Sequence, residues 1–418
     1  MFTLIKNEYI KLFKRTKTLV IIGLLLLGAA GLTFMLYKSE QQSLEWRSPE
    51  KRIEIEKQQI EYEKKYINDL KTEQKNLKTQ AEKDNSNINI EQSKQYIKDR
   101  EAEIKRLEDE IKNPIDWRVT TKEEIKDIKG EIAKIKEDIA SGEIERQSQL
   151  TYYTERLEEL EYYSKKDLKP IESWEFYPGF SLIQVSSMLC FLIPLFIAIF
   201  GNDIVSDEAT NETFKFLLIQ PVKRGKILLA KFITLITSVF LLLFGVQGII
   251  FTGIGAVRGF ADLDQLVKVG QRYEINQEIL IKQGNKILDV IPGTGEFITY
   301  GDLVLRSLAM QAIFIFACCT VVFLFSTICK SNMISAAASV VVIVGGAVAP
   351  YMISQLGELA HLSFLSYGAT AQLLMGDLNN NFTNPDINYM LGIGLMLGVT
   401  IIAYIISHIN FSKKDILV

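Results

Sequence analysis

The chain has 418 residues, with 47 Lys and Arg against 50 Asp and Glu and a net charge of −3. Residues 38–179 hold 28 of those basic and 34 of those acidic residues, so the other 276 positions carry only 35 charges. That division into a polar module and an apolar remainder excludes a soluble globular enzyme. The slightly acidic balance, with no long basic stripe, excludes a nucleic-acid binder.

The first 17 residues form an amphipathic pattern. Leu4, Ile5, Tyr9, Leu12 and Phe13 recur at helical spacing, and Lys6, Lys11, Lys14 and Arg15 fall largely opposite. Such a helix lies in the plane of a membrane interface with its basic residues toward anionic lipid. The plain alternative is a positively charged anchor for the span that follows. Residues 18–37 are the first of six apolar runs long enough to cross a hydrocarbon core of about 30 Å. The others are 180–200, 227–256, 303–328, 333–353 and 389–408. No A-x-A cleavage site follows the first run, which reads as a retained anchor rather than a signal peptide.

Lys and Arg near the span ends set the orientation. Five precede residue 18, Lys215, Lys223, Arg224 and Lys226 lie in 201–226, and Lys413 and Lys414 lie in the 409–418 tail, whereas 354–388 holds none. The termini, 201–226 and the 329–332 turn are therefore expected in the cytoplasm. Residues 38–179, 257–302 and 354–388 are expected outside.

Within 38–179, Ile125, Ile128, Ile132, Ile135 and Ile139 alternate by three and four, the spacing of a narrow coiled-coil seam. Leu150, Tyr153, Leu157 and Leu160 continue it, and Ile97, Ile104, Leu107 and Ile111 repeat it upstream. Thr121 and Glu124 have capping-box spacing. Breaks are expected at Asp84–Asn87, Asn113–Pro114 and Ser141–Gly142, giving helices near 42–82, 88–112, 121–140 and 144–167 folded as antiparallel hairpins. Either a solvated stalk or a surface that meets substrate or partner fits this pattern.

The most informative stretch is 201–232, running from the end of the second apolar run into the third. Phe214, Leu217 and Leu218 share one face of a short helix, Asp207, Glu208, Glu212 and Lys215 make the rest polar, and Pro221 stops it. An amphipathic helix there is suited to receive force from a soluble partner. The order Glu208, Thr213, Leu217-Leu218, Pro221, Arg224 and Lys231 resembles the ABC-2 type permeases, the membrane subunits of type V ABC exporters; Glu212 stands where that family usually has Gly. The resemblance takes in the six-span layout and the N-terminal helix, about 270 residues, but not the 38–179 module.

What the resemblance implies is an all-α polytopic membrane protein with six transmembrane helices and an extracellular coiled-coil insertion between spans one and two. Residues 204–220 would contain the coupling helix that docks on an ABC ATPase subunit through Asp207, Glu208, Glu212, Thr213, Phe214, Lys215, Leu217, Leu218, Pro221 and Arg224. Residues 1–17 would be the elbow helix, with Lys6, Tyr9, Lys11, Phe13, Lys14 and Arg15. Two ATPase copies, carrying ATP and Mg, and a second permease, identical or related, would complete the complex.

No G-x-x-x-x-G-K-[ST] loop, G-x-S-x-G elbow or H-E-x-x-H helix occurs, so the chain itself is expected to be no enzyme and to hold no cofactor. Its cysteines, Cys190, Cys318, Cys319 and Cys329, lie in or beside apolar runs, and its two histidines, His361 and His408, are far apart. Neither set suits a metal site. Lys231 and Arg306 lie near span ends, where long side chains can snorkel. Gly345 and Gly346, in a small-residue stretch of the fifth run, are candidates for a dimer seam, and 354–388 is read as dipping partly into the membrane.

Two functions fit. One is a cytoplasmic-membrane exporter permease moving a peptide or lipid-like substrate, such as an antimicrobial peptide, and the Lys-, Asn- and Ile-rich usage fits a bacterium. The other is a non-transporting surface scaffold or receptor, similar to the phage-infection and type VII secretion accessory proteins. The 204–231 pattern and the modest length of the 38–179 module favour the first.

Overall fold

The computed structural model describes residues 1–75, 79–141, 146–210 and 222–413. The chain divides into two compact units, Tyr37–Pro170 and the combination of Met1–Leu36 with Ile171–Val418. The polar unit thus ends at Pro170, and residues 171–179, which the charge pattern assigned to it, pack with the apolar one. The first helix, α1 (Phe2–Phe13), buries Leu12. After Lys14 and Arg15 comes α2 (Thr16–Arg47), which carries the first apolar run.

In the polar unit, Ser48 and Pro49 end α2 and start α3 (Pro49–Gln74). Ser48 Oγ accepts from the Lys51 amide at 3.2 Å, and Pro49 takes the first helical position, where its missing N–H costs nothing. Next comes α4 (Gln80–Lys112). The break expected at Asp84–Asn87 is absent, and the helix starts eight residues earlier than the sequence implied. Its start is fixed at Thr79, whose N–H donates to Glu82 Oε2 at 3.2 Å. Asp84 accepts from Gln80, and Ser86 is buried in the helix. The two helices run antiparallel, zipped by Arg52–Glu103 at 2.9 Å, Arg100–Glu56 at 3.0 Å and Gln74–Asn87 at 2.7 Å. Ile60, Ile67, Ile90, Ile104 and Leu107 are buried.

The second hairpin joins α5 (Trp117–Ala140) to α6 (Gln147–Lys166). Thr121 does not cap α5; it lies buried in the second turn, and Asp116 caps instead, its Oδ1 accepting from the Arg118 amide at 2.9 Å. Ile125, Ile128 and Ile132 meet Leu150, Tyr153, Leu157 and Leu160 in one apolar cluster. Arg156 reaches Glu124 at 2.9 Å and Lys129 reaches Glu161 at 2.7 Å along its flanks.

In the apolar unit, the second run is not one straight helix. It is α7 (Pro178–Met188) and α8 (Leu192–Gly201), bent by 64° at the break. Pro194 supplies the reason. A continuous helix would pair the amide of residue 194 with the Cys190 carbonyl, and proline has no hydrogen to give. A five-residue helix, α9 (Ser206–Thr210), follows.

The third run is α10 (Arg224–Arg258). Beyond it, β1 (Leu266–Val269) and β2 (Tyr273–Ile275) precede a short α11 (Gln277–Gln283), and β3 (Leu288–Val290) and β4 (Glu296–Thr299) return. The strands nest, β2 with β3 inside β1 with β4, both antiparallel. Residues 257–302 thus hold a small β-containing cap, with Gly293 and Gly295 at positive φ in the turn before β4.

The fourth run, α12 (Tyr300–Ile328), is the centre of the unit. It packs against α8, α10 and the last helix, and Phe314, Ile315, Cys318, Cys319 and Phe323 are shielded from solvent. The fifth is α13 (Asn332–Ser339), a π-helical stretch at Val340–Gly345, and α14 (Gly346–Met352). Short helical turns, among them α15 (Ser354–Glu358), α16 (Thr370–Met375) and α17 (Asp377–Phe382), then lead to α18 (Tyr389–Lys413). Among the described residues, five helices are long and apolar enough to cross a membrane, and the bent α7–α8 pair would be a sixth.

The 257–302 loop also fixes the start of α7. Asp262 is fully buried, and its Oδ2 accepts from the Phe180 amide at 2.9 Å. Burial pushes the Asp262 pKa up, against the backbone N–H groups that pull it down. Gly179 permits the approach, since a Cβ there would lie 2.7 Å from the same oxygen.

Two consequences are measurable by amide hydrogen exchange on the full chain. Leu160→Ala should cost about 2–5 kcal/mol of α5–α6 protection, whereas the exposed Tyr152→Ala changes it by under about 0.5 kcal/mol; equal effects would contradict the assigned seam. Asp262→Ala should lose about 1–2 kcal/mol of protection at the first turn of α7. Asp262→Asn, which keeps an acceptor, should recover most of it; if it does not, the cap is not the cause.

Candidate functional site: a charge junction at the end of the second span

The chain leaving α8 is acidic at Asp203, Asp207 and Glu208, and the chain joining α1 to α2 is basic. The fold sets them face to face. Arg15 lies between two carboxylates, 2.8 Å from Asp207 Oδ2 and 3.1 Å from Asp203 Oδ1. Lys17 donates to Asp203 Oδ2 at 2.9 Å and to Asn202 Oδ1 at 3.1 Å. Lys11, one turn before the end of α1, donates to Glu208 Oε1 at 3.0 Å.

The deepest member comes from α10. Lys231 is only 2% exposed, yet its ammonium holds two carboxylates, Glu8 Oε2 at 2.8 Å and Glu208 Oε1 at 3.1 Å. Glu208, itself 8% exposed, is therefore shared by α1 and α10. Four cations, Lys11, Arg15, Lys17 and Lys231, face four anions, Glu8, Asp203, Asp207 and Glu208. Burial opposes the charge on Lys11, but its hydrogen bond to Glu208 and the nearby Glu8 outweigh that and raise its pKa. A buried charge is tolerated only when paired and hydrogen-bonded, and this set meets that condition.

Neutral groups bind the same segment to the fourth and fifth runs. Ser326 Oγ of α12 accepts from the Val205 and Ser206 amides at 2.9 and 3.1 Å. Asn332, at the first turn of α13, donates to Asp207 Oδ1 at 2.9 Å and accepts from Ser206 Oγ at 2.7 Å. Ser335 donates to the Asn202 carbonyl at 2.6 Å. Tyr9 and Thr237 share a hydroxyl–hydroxyl contact between α1 and α10. The short stretch 202–210 is thus held by five helices at once.

Of the sequence-derived site residues, Asp207, Glu208, Lys11, Arg15 and Tyr9 come together here. Phe13 stacks on Tyr9 at 6.2 Å. Lys6 and Lys14 are exposed, and Arg224 reaches toward the Ser412 carbonyl at 3.4 Å. Glu212, Thr213, Phe214, Lys215, Leu217, Leu218 and Pro221 lie outside the described residues.

Three readings are corrected. Glu208 is buried rather than exposed, enclosed by Lys11 and Lys231. Lys231 does not snorkel, because Glu8 and Glu208 meet it inside the bundle. Gly346 faces inward, where a Cβ would come 2.4 Å from Leu365 Cδ1, so close packing within the chain accounts for it, while Gly345 opens to free space. The sequence reading also passed over Glu8, Asp203 and Asn332. The i, i+4 spacing of Asp203 and Asp207, and the i, i+3 spacing of Glu8 and Lys11, was the available signal.

Lys231→Met would strand Glu8 and Glu208 with one fewer cation and should cost about 3–5 kcal/mol. Combining it with Glu208→Gln should cost less than the sum, with a coupling of about 0.5–3 kcal/mol in a double-mutant cycle followed by denaturant unfolding in detergent. Strict additivity would show that the two side chains do not share a site.

The family model described as ABC-2 family transporter protein matches residues 2–416, nearly the full length. No curated protein matches the chain.

Proposed function

Because the chain belongs to the ABC-2 transporter family, we propose that it is the permease subunit that turns ATP hydrolysis on a separate ATPase subunit into export of a peptide or lipid-like molecule. The observation that carries this reading is that Glu208 accepts hydrogen bonds from both Lys11 on α1 and Lys231 on α10, just before 211–221. A push delivered to that following segment reaches the N-terminal helix and the third span together, through ion pairs rather than through a flexible loop.

In this reading 204–220 contains the coupling helix, and Glu212, Phe214, Leu217 and Leu218 supply its docking face. Residues 1–17 act as the elbow, with Leu12 and Tyr9 toward the bundle. The Lys and Arg bias places this junction and both termini on the cytoplasmic side. Two permeases and two ATPase copies form the complex, with ATP and Mg on the ATPase, and the helical hairpins of 37–170 stand outside. A non-transporting scaffold needs no such junction, since it has no motion to convey.

The test is purification in mild detergent from the native host, with mass spectrometry and an ATPase assay of what stays bound. Co-purification of an ATPase carrying a phosphate loop is the expected result. Phe214→Ala should release it. Glu208→Gln, buried between Lys11 and Lys231, should retain the ATPase but uncouple its hydrolysis from export. A preparation that never carries an ATPase, or a Glu208→Gln variant that exports normally, would overturn the reading.

A further inference from the structure

The fifth run begins at Asn332, in the charge junction, and ends at Met352. Its 21 residues at about 1.5 Å each span about 30 Å, the thickness of a bilayer core. At the Met352 end lies a cavity of about 410 Å³, lined among others by Lys286, Tyr351, Ser354, Glu358, Asn381 and Phe382. It therefore opens at the membrane face opposite the junction, where lipid headgroups reside.

Its chemistry is divided. Lys286, from the loop between α11 and β3, stands 3.6 Å from Glu358, and the two side chains are 32% and 65% exposed. Such a half-solvated pair contributes about 0–1 kcal/mol and opens at little cost. A lone anion entering would approach Lys286 but be repelled by Glu358, and a lone cation the reverse. A group bearing both charges satisfies both. Tyr351 and Phe382, ring centroids 4.5 Å apart, form an aromatic wall suited to an alkylated ammonium. Met352, Ile353, Leu359 and Leu362 are exposed in the same stretch of chain, at 79, 47, 54 and 60%, as a surface for an apolar tail.

The frame is built. Asn384 Nδ2 donates to the Glu358 carbonyl at 2.8 Å and the Gly357 carbonyl at 3.3 Å, and Asn379 Nδ2 donates to the carbonyls of Asn384 and Ile387 at 3.0 and 2.8 Å. These bonds hold the backbone carrying Glu358 in place before any ligand arrives.

We propose that this cavity binds the charged end of a zwitterionic amphiphile, its ammonium against Glu358 and the Tyr351–Phe382 wall and its anionic group against Lys286. The same chemistry is offered by a phosphocholine-type headgroup and by a peptide with free termini.

The test uses the full chain in maltoside micelles and counts bound molecules by native mass spectrometry. The probes are dihexanoylphosphatidylcholine, dihexanoylphosphatidylglycerol, dodecyltrimethylammonium and tri-leucine. The phosphatidylcholine should be retained at one copy per chain, at least about tenfold more tightly than the purely anionic or cationic probe, the scale of one charge-assisted contact. Glu358→Gln and Lys286→Met should each weaken it about tenfold, and Glu358→Gln should leave phosphatidylglycerol binding undiminished. Displacement by tri-leucine assigns the site to peptide termini as well, and failure to displace confines it to lipid. Equal retention of the three amphiphiles, or unchanged phosphatidylcholine binding in both variants at wild-type melting temperature, would overturn the proposal. Because no ATPase takes part, the outcome is independent of the transport assay above.

Discussion

A carboxylate taken out of water must either meet cations or give up its charge. Glu208 meets two, and from that single sharing the rest of the apolar unit takes its connections. Lys11 brings the N-terminal helix, Lys231 the third run, and through Lys231 comes Glu8. The neighbouring Asp203 and Asp207 then fix the start of α2 through Arg15 and Lys17, and the start of α13 through Asn332. Hydrophobic burial alone is directionless; apolar helices in a bilayer can slide or rotate against one another at little cost. Paired charges with two or three partners each cannot. With the neutral groups Ser326, Asn332 and Ser335 beside them, they fix the register of five helices at one end of the bundle.

At the other end the same function falls to hydrogen bonds between neutral or single groups. Asp262 caps α7 from the β-containing loop, and Asn379 and Asn384 tie the turns between α15 and α18 to their own carbonyls. The contrast has a consequence for strength. The junction is a network in which each member has several partners, so loss of one leaves charged neighbours stranded. In the loops Asn379 and Asn384 each bridge two carbonyls, so loss of one side chain frees neutral acceptors and strands no charge. The first is stiff and brittle, the second locally adjustable.

Much of the architecture was legible in the residues. Apolar runs of about 20 residues carry their meaning in length and composition alone, and the isoleucines of α5 meet Leu150, Tyr153, Leu157 and Leu160 as their spacing implied. Helix starts were less legible. Asp84–Asn87 has the composition of a turn, yet Thr79 with Glu82 begins the helix upstream and the polar side chains are absorbed along it. The break in the second span was written at Pro194 but hidden inside an otherwise continuous apolar run. The charge junction was the least accessible feature. Glu208 and Lys11 are 197 positions apart, and nothing local distinguishes an acid that will be enclosed by the fold from one that will face a partner.

The 64° bend between α7 and α8 bears on how the bundle can yield. A straight helix resists bending because each increment of angle stretches a backbone hydrogen bond on the convex side. At Cys190 the amide that would restrain the carbonyl is already absent, replaced by the ring nitrogen of Pro194. What still crosses the break is the bond from the Ile193 amide to the Leu189 carbonyl at 2.8 Å, together with side-chain contacts such as Phe191 against Tyr351, ring centroids 5.1 Å apart. In mechanical terms the α7–α8 pair is two rigid rods joined by a compliant segment, clamped by charge at one end and by a single carboxylate cap at the other. Stress applied to the clamped end should concentrate at residues 189–191, leaving the rods straight.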